Sequence, residues 1–208
     1  DEVYIDQRFS WLNLFYLLKL KQMISKLSLV KIYDLQNSSR TLFYRRFLFN
    51  KIKWSSTETI LPPGTNKSDF DNDPVLERFN FQLTNSNIIT KHTLKPNFSW
   101  ACENIDDLIK KYNLEKYILL FPFCSINLPH KKWPYYNDLI LLINKNNPEF
   151  KLVVAPSPNE IEESKKLNVR VILKDNKALT VTQLAGLIDK AQFIISNDTG
   201  PAHMAAHL

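Results

Sequence analysis

The chain has 208 residues, 44% hydrophobic and 23% charged, enough for one large or two modest globular cores. Its 3 glycines, Gly64, Gly186 and Gly200, stand too far apart for a dinucleotide GxGxxG loop or a GxxxxGK[ST] phosphate loop, so the usual nicotinamide and P-loop readings are out. The 2 cysteines, Cys102 and Cys124, form no CxxC pair, which argues against a cysteine zinc site and points to a reducing compartment, and the net charge of +6 comes with no recognised nucleic-acid-binding motif.

In chain order, Val3-Tyr4-Ile5 reads as a short strand, followed by a helix over about 10–27. The apolar run within that helix, residues 11–20, is shorter than the ~20 residues a bilayer requires and has no cleavage site after it. It reads as a core-facing helix, with a peripheral membrane role left open. A strand at 29–33 and a helix near 38–50 come next, an alternating α/β start. Between Asp34 and Glu58 there is no acid, while Arg40, Arg45, Arg46, Lys51 and Lys53 all fall there. Such a run is either a solvated helix face or an attractor for an anionic acceptor or an acidic membrane surface. Residues 55–73, with Pro62-Pro63-Gly64, read as an exposed loop. A helix over about 74–83 and an irregular segment through Trp100 complete the first region.

The second region alternates more cleanly. Strands are predicted at 117–121, 151–155, 169–173 and 193–196, separated by helices near 134–146, 159–167 and 180–190. This spacing means parallel βα units with ligands beyond the carboxyl ends of the strands. The polar clusters lie at those ends, in 122–134, 156–160 and 198–203. The last is the most informative. Ser196-Asn197-Asp198-Thr199-Gly200-Pro201 reads as a strand end, a tight turn and a helix start, with Asp198 or Thr199 able to cap and Pro201 suited to the first helical position. Gly200 lets a ligand approach the backbone, and free amides at a helix start favour a phosphate or diphosphate. Ser125 lies in the loop after the first of these strands, where Lys131 or Lys132 can neutralise phosphate with Trp133 packed beneath. Glu160 can accept from a ribose diol or simply serve as a helix-start acid. His203 and His207 stand four apart, yet with no Glu between them and no third ligand a metal site is not expected.

The series Asp198-Thr199-Gly200-Pro201 with His203 and Ala205-Ala206, together with Lys131-Lys132-Trp133-Pro134, resembles glycosyltransferase family 9, the ADP-heptose:lipopolysaccharide heptosyltransferases. Asp1-Glu2-Val3, Trp11-Leu12, Tyr33-Asp34-Leu35-Gln36 and Ser39-Arg40 resemble the same family's first domain. The resemblance implies an α/β protein of GT-B type, two Rossmann-like doubly wound parallel-sheet domains, both incomplete in this chain. Residues 1–105 would form part of the amino-terminal acceptor-side domain and 106–208 part of the carboxyl-terminal nucleotide-sugar domain. It further implies inverting, metal-independent transfer of heptose from ADP-heptose to a lipopolysaccharide core or related cell-envelope glycan, without cofactor or nucleic acid, in the cytoplasm or peripherally on the inner face of the inner membrane. The donor would be held by Ser125, Lys131, Glu160, Asp198, Thr199, Gly200, Pro201 and His203, and the anionic acceptor by Arg40 and Arg45. Phe123-Cys124-Ser125 stands where the family has a Pro-Gly-Ala-like turn. The family's catalytic aspartate and Gly-Asp loop would precede Asp1, so the base is unassigned and these 208 residues alone are expected to be inactive. A sugar-nucleotide epimerase of similar architecture and a non-catalytic nucleotide-binding domain are the alternatives.

Overall fold

A computed structural model describes residues 2–208, which leaves Asp1 of the amino-terminal run outside the described residues. The chain folds as two compact units, Asp1–Leu94 and Lys95–Leu208. The division falls before the expected 105/106 boundary because the segment around Glu103 is fastened to the second unit. Its amide donates to the Thr182 carbonyl at 3.1 Å, and its carboxylate accepts from Thr182 Oγ1 at 2.9 Å and Gln183 Nε2 at 3.1 Å.

In the first unit, helix α1 (Leu14–Ser25) begins where Asn13 Oδ1 accepts from the Tyr16 amide at 2.9 Å, satisfying one of the free donors of the first turn. Leu17 and Leu20 of α1 pack with Tyr44 and Phe49 in one apolar cluster that also takes Ile32 and Trp54. Strands β1 (Lys31–Tyr33) and β2 (Lys53–Ser55) pair in parallel, with Ile32 opposite Trp54. They are joined through α2 (Ser39–Phe43) and a π-helical turn, Tyr44–Leu48. The region read as a loop contains the end of β2 and the short helix α3 (Lys67–Phe70), and α4 (Val75–Thr84) forms where a helix over about 74–83 was expected. Val3-Tyr4-Ile5 is not a strand. An isolated extended segment needs a partner for its backbone groups, and none pairs with these residues among the described residues; Val3 and Ile5 stand in the open.

The second unit holds a four-stranded parallel sheet, β3 (Tyr117–Phe121), β4 (Lys151–Val154), β5 (Arg170–Val171) and β6 (Phe193–Ser196), in the order β5-β4-β3-β6. All five residues of β3 are buried. Tyr117, Leu119 and Phe121 face one cluster, with Ile105, Leu108, Leu187 and Ile188, while Ile118 and Leu120 face the other, with Tyr136 and Ile140. That two-sided burial is why the strand reads as an unbroken apolar run. The flanking helices are α5 (Asp106–Tyr112), α6 (Tyr136–Asn146), α7 (Ile161–Ser164), α8 (Val181–Asp189) and α9 (Gly200–Ala205). Helix α5 was not foreseen from the sequence, and β5 and α7 are shorter than predicted. The fold is α/β with doubly wound parallel strands.

Candidate functional site

The strand order turns back on itself between β3 and β6: from β3 the chain proceeds outward to β4 and β5, then crosses to the other side for β6. Ligands of doubly wound sheets bind outside the carboxyl ends at such a switch point. A cavity of ≈ 320 Å³ opens there, bounded by the segments that leave β3, β4 and β6 and by the start of α8. Phe121, Pro122, Phe123, Val154, Ala155, Pro156, Leu179, Val181 and Leu184 make its walls apolar, and Ser125, Ser157, Glu160 and Thr199 supply the polar groups. Four of the expected donor residues, Ser125, Glu160, Thr199 and Pro201, therefore border one cavity. Of the apolar wall, Pro122, Phe123 and Pro156 fall in the segments singled out from the sequence, whereas Phe121, Val154, Ala155, Leu179, Val181 and Leu184 were not foreseen as lining.

Lys131, Asp198 and His203 do not border the cavity; they cluster at the start of α9. Lys131 Nζ lies 2.5 Å from Asp198 Oδ2, and His203 Nε2 lies 3.4 Å from Asp198 Oδ1. The hydrogen bond and charge of Lys131 hold the Asp198 carboxyl below the usual range. This corrects the capping expectation. Asp198 is drawn to the lysine, Thr199 Oγ1 meets Ser196 Oγ at 3.2 Å and the Asn197 carbonyl at 3.3 Å, and no side chain caps α9. The amides of Asp198, Thr199 and Gly200 consequently donate to no protein group among the described residues. A Cβ added to Gly200 would meet nothing within 4 Å, so the space beside this backbone is open. Free amides, open space and a nearby ammonium are what an anion requires.

Glu160 takes up its helix-start reading. Its Oε2 accepts from the Ser157 amide at 2.9 Å, closing the turn Pro158–Glu160, while the residue borders the cavity. Trp133 packs edge-on against Tyr135 and Tyr136, and Lys132 pairs with Glu163 instead of facing the turn. His207 meets Phe98 edge-on at 6.0 Å between centroids. Among the described residues no three His, Cys, Asp or Glu side chains gather as a metal site.

In the first unit, Arg40 donates to the carbonyls of Arg8 at 3.2 Å and Phe9 at 3.1 Å and to Tyr44 Oη at 3.0 Å, tying down the amino-terminal segment. Arg45 is ion-paired with Glu58, and both border a polar cavity of ≈ 260 Å³ with Asp34, Ser38, Ser56 and Lys67. The two arginines are thus already engaged within the protein, and Arg45 borders the cavity.

The sequence matches the family model of glycosyltransferase family 9 (heptosyltransferase) over residues 56–208. None of the curated proteins matches it. Among solved structures, the chain resembles the E. coli heptosyltransferase WaaC with ADP at a TM-score of 0.60 and 17% identity, covering 97% of this chain and 65% of that one. A family 9 glycosyl transferase from Veillonella parvula gives 0.59 and 16%, with 99% and 62% covered. S. aureus MnaA with UDP gives 0.52 and 16%, with 95% and 62% covered. The chain spans less than two thirds of the length of each of these proteins. At such identity the likeness speaks for the fold, an α/β arrangement of parallel sheets of the GT-B type.

Proposed function

The chain belongs to glycosyltransferase family 9, and we propose that its second unit binds the nucleotide end of a sugar donor for inverting, metal-independent transfer to a cell-envelope glycan. The observation that carries this reading is the run of unpartnered amides at Asp198, Thr199 and Gly200 beside an apolar cavity at the switch point. The walls suit a nucleoside base, Glu160 suits the ribose, and the amides with Lys131 suit the diphosphate. As the bond from the anomeric carbon to the diphosphate oxygen breaks, negative charge grows on the departing nucleoside diphosphate. Amides and an ammonium fixed in advance stabilise that charge without a metal. To do so Lys131 must exchange Asp198 for phosphate. The acceptor hydroxyl loses its proton to a general base that is not assigned to this chain.

ADP in WaaC and UDP in MnaA support a nucleotide ligand for this fold. ADP-heptose as donor and a lipopolysaccharide core as acceptor extend the family's description to this chain. Arg45 would take an acceptor anion by releasing Glu58, and Arg40 would support it from α2. No helix among the described residues is long and apolar enough to cross a membrane. Peripheral contact with the inner face of the inner membrane in the cytoplasm is drawn from the outward Leu14, Phe15 and Leu18 of α1 beside Lys19 and Lys21.

The test is titration of the full-length protein with ADP and UDP, with Lys131→Ala and Asp198→Ala alongside. Weaker ADP binding in the lysine variant is expected, and unchanged affinity in both variants would remove the donor-site assignment. A product assay then divides the alternatives: free nucleotide with a longer glycan means transfer, an isomerised donor means epimerisation, and bound nucleotide without turnover means a binding module.

A further inference from the structure

Asn197 directly follows β6 and is only 7% exposed. Its amide donates to the Phe121 carbonyl at 3.2 Å, continuing the β3 and β6 pairing by one step. Beyond that point the strands part, and the backbone groups of the departing segments need new partners. The carboxamide supplies them. Nδ2 donates to the Pro122 carbonyl at 2.9 Å and the Phe123 carbonyl at 3.4 Å, and Oδ1 accepts from the Trp133 amide at 3.3 Å. The orientation is unambiguous, since a flipped amide would set oxygen against two carbonyls and nitrogen against an N–H.

One side chain therefore fastens three pieces of the site: the cavity wall at Pro122 and Phe123, the return of the loop that carries Lys131, and the turn of free amides that begins at the next residue. Within that loop the other backbone bonds are local, Leu128 to Ser125 at 2.9 Å, Lys131 to Leu128 at 3.1 Å and Lys132 to Pro129 at 3.1 Å. The loop is held to the amide turn by Trp133 on Asn197 and by the exposed Lys131 and Asp198 pair. An exposed pair contributes little on its own. We propose that Asn197 is a positioning residue, which sets the Lys131 ammonium in register with the amides of Asp198, Thr199 and Gly200 so that both meet the same terminal phosphate. This assignment rests on the nucleotide reading of the cavity. A residue offering only bulk at this position would leave buried carbonyls unpaired and the lysine loop free to drift.

The experiment is calorimetric titration of the full chain with ADP and with AMP, for the wild type, Asn197→Ala, Lys131→Ala and the double variant, each checked for a cooperative melt. The wild type should prefer ADP to AMP, and Asn197→Ala should weaken ADP about tenfold and AMP by less than about twofold, because only the second phosphate reaches Lys131. In the double variant Asn197→Ala should add less than about twofold to the loss from Lys131→Ala, the mark of two residues acting through one contact. Asn197→Asp, nearly the same shape but without the N–H donors, should show the same selective loss and serves should the alanine variant not fold. Equal losses for ADP and AMP, or factors that multiply in the double variant, would reduce Asn197 to a purely structural part and overturn the proposal. A wild type that binds neither nucleotide would overturn the donor reading itself and this assignment with it, whereas wild-type binding with unchanged variants would overturn this assignment alone.

Discussion

The two units solve the same packing problem to different extents. In the second, a five-residue central strand is buried on both faces, with one apolar cluster above the sheet and one below. In the first, two three-residue strands share a single cluster, and Leu14, Phe15 and Leu18 of α1 turn outward at 71%, 80% and 66% exposure. Parallel strands are stable when both faces are covered. The second unit meets that condition from its own residues, and the candidate site is built on its rigid strand ends. The first leaves apolar side chains of α1 exposed.

Core truncation is the sharpest way to break this contrast. Leu119, with 0% exposure, should cost about 2–5 kcal/mol on replacement by Ala, whereas Leu18→Ala in α1 should stay within about 0.5 kcal/mol, both read by chemical denaturation. Equal costs would mean that the first unit buries α1 as fully as the second buries β3. The glycines give the next largest effect. A Cβ at Gly186 of α8 would lie 2.3 Å from the Glu103 carbonyl oxygen, so Gly186→Ala should destabilise by about 1–3 kcal/mol, loosening the strap that crosses this helix. Gly200→Ala meets no protein atom within 4 Å and should leave the melting temperature unchanged while weakening ADP, because the methyl group enters the space assigned to phosphate. A smaller effect is expected at Tyr117, whose hydroxyl donates to the Leu187 carbonyl at 2.5 Å. Tyr117→Phe should cost about 1 kcal/mol.

Burial pushes the Tyr117 phenol above its ordinary value. A group with a raised folded-state pKa adds stability that is complete below the unfolded value and disappears as pH climbs through the folded one. The wild-type melting temperature should therefore fall above about pH 10, the ordinary tyrosine value, and the fall should be shallower in Tyr117→Phe. An identical alkaline profile in both would assign the loss to other groups, such as Tyr136, which burial also pushes up to about 12.

The same contrast explains what could be read in advance. The strands of the second unit announce themselves because two-sided burial demands continuous apolar, β-branched runs. Lys53-Trp54-Ser55 does not, since a strand with one apolar side chain is defined by its pairing with β1. Val3-Tyr4-Ile5 shows the converse: strand propensity without a neighbour produces no strand. At the site, the turn at Asp198, Thr199 and Gly200 was legible from local chemistry, a glycine and a proline after a strand. The Lys131 and Asp198 pair and the Asn197 bridge join residues more than sixty positions apart, at separations of 67 and 64, and no local pattern reveals them. Helix α5 carried its charge signals, Asp106 and Asp107 at the start and Lys110 and Lys111 at the end, but is only 7 residues long.

The most direct measurement is a crystal structure of the full chain with ADP bound. The account predicts diphosphate oxygens about 3 Å from the amides of Asp198, Thr199 and Gly200, with Lys131 Nζ turned from Asp198 toward the terminal phosphate. Phosphates lying elsewhere, with those amides still facing solvent and Lys131 still on Asp198, would contradict it.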